Sequence, residues 1–229
     1  MQGTYWAILA TMTRPDVVEE SEGRAAWEQR SLARVGRQAL QRSRKIIRAA
    51  RELVEEGGLE AVTLRPILER SGLSRRAFYE RFEGMDDVLL ALFEETMARG
   101  AEGLARRIAK VEGAPAKIEA LVRGMASSAQ GPSKSRIYIL AMSSEHARLA
   151  EQRPAELREA TRPMNSLMSR ILEEGMKEGT IRQADPEGLA EMLHALVASE
   201  VHRNLHLDRP GKRWLDDLCA FCLHGVGAG

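Results

Sequence analysis

The sequence predicts an all-α fold in two parts, an N-terminal three-helix unit with a helix-turn-helix and a larger helical remainder. Three observations carry this expectation. Of 229 residues, 4% are aromatic and 29% charged, with no long run of alternating β-branched residues. Residues 63–82, TLRPILERSGLSRRAFYERF, have the pattern of a helix, a Gly-containing turn and a second short helix. Beyond Phe93, apolar residues recur at helical spacing between breaks rich in Gly and Pro.

Residues 1–40 are expected to be an extension, partly basic. Its segment Tyr5-Trp6-Ala7-Ile8-Leu9-Ala10 is apolar but too short to span a membrane. No basic residue precedes it as in a secretory signal, and Met12 is a second candidate start. Residues 25–43 carry Ala25, Trp27, Leu32, Val35 and Leu40 with Arg between them, as an extra helix or an extension of the first one. They suit either a basic arm on nucleic acid or a soluble leader.

The first helix of the three-helix unit covers residues 44–56, with an apolar stripe of Ile46, Ile47, Ala50, Leu53 and Val54. Thr63 is the expected N-cap of the second, its hydroxyl able to accept from an N–H two or three residues on. Pro66 falls in the first turn, where its missing N–H has no intrahelical partner to lose. Leu64, Ile67, Leu68 and Ser71 share one face, and Gly72 can take the left-handed conformation that stops the helix. Ser74 caps the third helix, which turns Ala77, Phe78 and Phe82 inward and Arg75, Arg76, Tyr79, Glu80 and Arg81 outward. Arg is well suited to a guanine edge or a phosphate, so this face points to double-stranded DNA.

Charge supports the same partner. The net charge is only +1, but residues 30–83 carry 13 basic and 7 acidic groups, whereas residues 84–229 carry 19 and 21. From Arg30 to Arg51 there are eight basic residues and no acidic one.

Later helices are expected over about 86–111, 115–130, 135–151 and 154–178, with Pro163 expected to kink or break the last of these. Asp185 caps a further helix that opens on Pro186 and runs to about Leu207, and a final one spans Lys212 to His224.

From Arg44 to Phe93 the chain resembles the N-terminal domain of the TetR family of transcriptional regulators. The matching features are an Ala-Ala pair before an apolar helix end, Gly57-Gly58, Thr63, Gly72-Leu73-Ser74, Tyr79 with Phe82, and an acidic-apolar run into the next helix. The resemblance implies a DNA-binding domain over residues 41–86. Thr63 and Tyr79 would hold phosphates, Arg75 and Arg76 would lie nearest base edges, and Arg81 would sit close to the backbone; Arg44, Lys45 and Ser74 complete the candidate set. One departure stands out: the family usually has Lys at the start of its fourth helix, where this chain has Met85, Asp86 and Asp87, two carboxylates that would repel DNA.

The stretch from Glu145 to Leu196 resembles, more loosely, the regulatory half of the same family. This implies that residues 87–229 dimerise through the last two long helices and enclose a pocket for a small, largely apolar effector. The pocket candidates are Phe93, Met97, Met125, Tyr138, Met142, Met168 and His194. The last helix is apolar nearly all round, which independently favours a homodimer over a terminal core helix. Candidates for that interface are Val201, Leu205, Trp214, Leu218, Phe221 and Cys222.

Other features are ordinary. Cys219 and Cys222 form a C-x-x-C with no second pair, so small buried hydrophobes are expected rather than a zinc site. Few cysteines and no signal sequence suit the cytoplasm, where a DNA-binding protein joins the nucleoid. His194, His202 and His206 sit at helical spacing and are expected to be solvated or at a dimer face rather than metal-bound. The methionines, among them Met125, Met142, Met164, Met168 and Met192, suit an adaptable pocket or ordinary core. With no Gly-rich phosphate loop, no G-x-S-x-G and no H-E-x-x-H, neither enzyme activity nor a cofactor is expected.

The expected function is a ligand-responsive transcriptional regulator, a repressor that binds a near-palindromic operator as a dimer and is released by a small molecule. The alternative is an architectural or division-linked DNA-binding protein on the same scaffold without an effector. A third possibility is a helical bundle whose Arg-rich helix contacts acidic proteins.

Overall fold

The computed structural model describes residues 26–127, 133–205 and 213–227, and these are all-α, with nine α-helices. The chain divides into two compact units, residues 1–45 and 46–229, and the division falls within helix α1 (Ala26–Gly57). The described part of the basic extension is therefore a continuation of the first helix, not a separate one. Within the first unit, Trp27, Leu32, Val35 and Leu40 are exposed.

In the second unit, α1 buries Ile46, Ala49, Ala50, Leu53 and Val54 at the spacing of one helical face. A 3₁₀ turn (Leu59–Ala61) leads to α2 (Leu64–Ser71) and α3 (Arg75–Tyr79). Gly58 and Gly72 have φ of 72° and 66°, the left-handed region where a Cβ would be strained. Thr63 occupies the N-cap position with an extended backbone, but its hydroxyl makes no capping hydrogen bond, contrary to expectation. The third helix is also shorter than expected. After Tyr79 the chain tightens, Arg81 N–H donating to the Phe78 carbonyl at 2.8 Å, and this turn drops Phe82 into the core.

Five longer helices and a short last one follow: α4 (Met85–Ile108), α5 (Ala114–Ser127), α6 (Ser133–Gln152), α7 (Pro154–Lys177), α8 (Pro186–Leu205) and α9 (Trp214–Val226). Asp185 caps α8 as expected, accepting from Glu187 N–H at 3.3 Å and Gly188 N–H at 3.0 Å. Pro163 does not end its helix: α7 runs through it. Pro163 and Glu159, whose carbonyl loses its intrahelical donor, are both exposed, so water can take that carbonyl. On the opposite face Ala160, Thr161, Met164 and Leu167 are buried and hold the helix on both sides of the proline.

Two apolar clusters result. The first joins α1, α2 and α3 to the start of α4 through Ile46, Leu53, Ile67, Phe78, Phe82, Val88 and Phe93, and extends to Met142 and Leu149 of α6 and Ala160 of α7. The second gathers the later part of α4 with α5, α7, α8 and α9, including Leu104, Ile108, Leu121, Leu172, Val197 and Cys219. Near its edge Ile181 pairs with Gly227 in an isolated antiparallel bridge that ties the turn after α7 to the end of α9. Here α7 passes its neighbours at Gly175, where an added Cβ would lie 2.3 Å from Ile181 Cγ1 and 2.7 Å from Ala114 Cβ. Gly175→Ala is therefore expected to destabilise the fold by about 1–3 kcal/mol through overpacking, read as a lower midpoint in urea unfolding; an unchanged midpoint contradicts the packing described.

Candidate nucleic-acid interface and internal cavity

The turn between α2 and α3 presents the arginine face. Gly72 N–H donates to the Leu68 carbonyl at 3.0 Å and closes α2, and Ser74 Oγ accepts from Ala77 N–H at 3.2 Å, which opens α3. With five residues, α3 depends on its anchors. Phe78 is fully buried, edge-on to Tyr79 at 5.3 Å between ring centroids and 6.0 Å from Phe82. Tyr79 is thus fixed at its inner edge and 53% exposed overall.

Arg75, Arg76 and Thr63 are exposed on the same unit, whereas Arg81 is only partly so. Arg76 Nε donates to Glu80 Oε1 at 3.1 Å, and Arg75 has no acidic partner among the described residues. A bidentate pair between Arg70 and Glu56 ties α2 to α1. Arg44 and Lys45 are exposed at the end of the first unit.

The two carboxylates at the start of α4 have partners of their own. Asp87 Oδ2 accepts from Glu83 N–H at 2.9 Å, holding the segment that enters the helix, and Asp87 lies 3.8 Å from Arg153. Asp86 lies 3.9 Å from Arg148, which also chelates the buried Glu145 through bonds of 2.8 and 2.7 Å. Arg148 of α6 and Arg153, just before α7, thus offset the negative charge that Asp86 and Asp87 place at the start of α4.

Farther along α4 a cavity of about 430 Å³ opens among α4, α5, α6, α7 and α8. Six of the seven residues nominated from sequence line it: Phe93, Met97, Met125, Tyr138, Met142 and His194. Met168 does not. It packs in the second cluster against a small void with Ile118, Leu121 and Leu172, because its position on α7 is one turn beyond Met164, which does face the cavity. Sequence reasoning missed Thr96, Gly100, Gly103, Leu104, Arg107, Gly124, Ser143 and His146. On α4 a signal was present, since residues 93, 96, 97, 100, 103, 104 and 107 recur at helical spacing.

Most polar groups in the wall are already engaged. The Thr96 hydroxyl donates to the Leu92 carbonyl at 2.7 Å and meets the Tyr138 hydroxyl, so Tyr138 is the donor of that pair. Arg51 stacks over the Tyr138 ring at 5.4 Å and pairs with Glu95. Ser143 Oγ lies 2.7 Å from His202 Nδ1. His194 Nδ1 lies 2.7 Å from Asn165 Oδ1, which makes that nitrogen the donor. Burial, reinforced by His146, holds the His194 imidazole down at about 4, and burial also lowers His146. Burial pushes the Tyr138 phenol up. At neutral pH all three are uncharged.

The interface candidates divide. Val201 lines the cavity and is buried within its own chain, as are Leu205, Leu218 and Cys222, while Trp214 is half-buried. Phe221 is 67% exposed beside Met192, 69% exposed on α8. This apolar pair lies outside the monomer's core. Burial pushes both cysteine thiols up, Cys222 to about 11, which keeps them protonated. Among the described residues no group of His, Cys, Asp and Glu could hold a metal ion, and no helix is long and apolar enough to cross a membrane.

Residues 46–92 match the profile of the bacterial regulatory proteins of the tetR family. No curated protein sequence matches the chain significantly. Among solved structures, RolR in complex with resorcinol is similar over 84% of this chain and 91% of its own, with 18% identity and a TM-score of 0.68. A TetR-family regulator from Agrobacterium tumefaciens is similar over 83% and 100%, with 16% identity and a TM-score of 0.58. FadR from Bacillus subtilis in complex with stearoyl-CoA is similar over 79% and 95%, with 22% identity and a TM-score of 0.56.

The histidine in the cavity has a measurable signature. His194 is held at about 4, below the unfolded value of about 6.5, so the unfolded chain binds the extra proton first as pH falls. Its contribution is present above pH 6.5 and is lost as pH falls towards 4, roughly 3 kcal/mol in all. Urea unfolding at pH 7 and pH 4.5 should show this loss in the wild type and a flatter profile in His194→Gln; identical profiles would contradict the burial.

Proposed function

We propose that the protein is a ligand-responsive transcriptional regulator, a repressor released by a small molecule; the match of residues 46–92 to the tetR-family profile and the similarity in fold to RolR support this reading. The observation that carries this is the shared helix α4, whose first turns pack with the arginine-bearing reading head while its later turns wall the cavity. Residues 41–86 form the reading domain and residues 87–229 the regulatory domain. Tyr79 and Thr63 contact phosphates and fix the register, Arg75 and Arg76 meet base edges, and Arg44, Lys45, Ser74 and Arg81 add backbone contacts. Two copies associate through α8 and α9 around Met192 and Phe221 and read two half-sites of a near-palindromic operator. The protein acts in the cytoplasm, at the nucleoid.

Release follows from linkage. An effector that binds better to the conformation with misplaced reading heads must weaken DNA binding by its differential affinity. RolR is solved with resorcinol and FadR with stearoyl-CoA, which supports a ligand-binding role for the regulatory half. The open cavity favours this over an architectural protein on the same scaffold, for which a filled core would be expected.

Arg75→Ala is expected to weaken binding to DNA flanking the protein's own gene by roughly 5- to 100-fold, with a smaller loss in Tyr79→Phe, as read in mobility-shift titrations. The absence of binding to any flanking DNA at low salt would count against the proposal. Phe221→Asp should shift sedimentation from dimer to monomer and weaken operator binding with it. A dimer unchanged by this substitution places the interface elsewhere.

A further inference from the structure

The two ligand-bound structures similar to this one hold very different molecules, so the choice of ligand class rests on the cavity wall. Among the described residues no Asp or Glu lines it. Its hydroxyls are bonded to each other or to histidine, the inner imidazoles are neutral, and Arg99 is paired with Glu95. That leaves one charged group in the described lining, Arg107, an exposed residue without an acidic partner among the described residues. The missing side chain at Gly124 on α5 makes room first for Leu104, whose Cδ2 lies 2.3 Å from where a Cβ would stand, and Arg107 Nη1 lies beside it at 3.3 Å from the same point. The guanidinium thus reaches from α4 to Gly124 of α5, on the solvent-exposed side of a cavity whose walls include Phe93, Met97, Met125, Ile139, Met142 and Met164.

We propose that the cavity selects an anionic amphiphile, a carboxylic acid with an apolar body, whose carboxylate meets Arg107 while the body packs against the methionines. The planar guanidinium offers two parallel N–H donors to a carboxylate, and the apolar wall behind it takes the body. Methionine conforms to bodies of different shape, so the head group sets the class and the body is loosely specified. A cationic amphiphile meets Arg107 with no carboxylate to offset the repulsion. A neutral one leaves the guanidinium with water alone.

The assignment rests on the effector role proposed above, and the test separates the two. Calorimetric titration of the full-length protein with 4-phenylbutanoate, 4-phenylbutan-1-ol and 4-phenylbutan-1-amine varies the head and holds the body constant. The acid is expected to bind roughly tenfold tighter than the alcohol, with the amine weakest. Arg107→Gln should bring acid and alcohol together, and Arg107→Lys should keep part of the preference. Gly103 lines the cavity with no heavy atom within 4 Å of an added Cβ, so Gly103→Phe directs a ring into that space and should remove all binding. Equal binding of the three heads, lost in Gly103→Phe, overturns the anionic assignment and leaves the cavity as a ligand site. A preference for the acid that persists in Arg107→Gln overturns the role of Arg107. No binding of any of the three overturns the assignment, while release of operator DNA by another molecule would still uphold the effector role.

Discussion

Helix α4 belongs to two cores, and much else in the second unit depends on that sharing. Val88, Leu90, Leu92 and Phe93 lie in the cluster that holds α1, α2 and α3 together, while Ala101, Leu104 and Ile108 lie in the cluster built with α5, α7, α8 and α9. The α2–α3 pair is too small to bury a core alone, so the start of α4 and the apolar faces of α6 and α7 complete it. The same packing that stabilises α1, α2 and α3 therefore ties them to the walls of the cavity. Close-packed side chains shift between discrete arrangements more readily than they deform continuously, which makes a shared helix a natural element for a two-state response.

Electrostatics reinforce this connection at the point where the helix begins. Asp86 and Asp87 look, in isolation, like a defect in a DNA-facing surface. In the fold they lie within 4 Å of Arg148 and Arg153, and Arg148 is itself oriented by the buried Glu145. A carboxylate buried as deeply as Glu145 is stable only with a well-formed partner, so it fixes the Arg148 guanidinium and through it the charge near Asp86. Each contact at the surface is worth little alone, but the set biases the start of α4 towards one orientation.

The local chemistry of the turn was legible in the sequence, because Gly72 and Ser74 act through their own backbone and nearest neighbours. Thr63 was not, since the position of a cap does not decide which way its hydroxyl points. Pro163 misled for a related reason. Propensity counts the lost hydrogen bond, whereas the burial of Ala160 and Met164 on the opposite face outweighs it. The cavity was legible on α4 in outline, through apolar residues at helical spacing, but a glycine shows nothing of itself in such a pattern. Gly100, Gly103 and Gly124 matter for the space they leave, which only neighbouring helices define. Met168 and Val201 mark the same limit: one turn of helix decides whether a residue meets a cavity, a core or a partner, and composition carries no such phase.

The length of α4 has a mechanical consequence. From Gly103 at the cavity to Met85 beside the reading head is eighteen residues, about 27 Å of helix. A rod of that length turns a tilt of about five degrees at one end into a sweep of roughly 2 Å at the other. That distance is comparable to the margin separating a sound hydrogen bond from none. A small shift at the cavity therefore reaches the α1–α3 unit enlarged, without any large rearrangement of the fold.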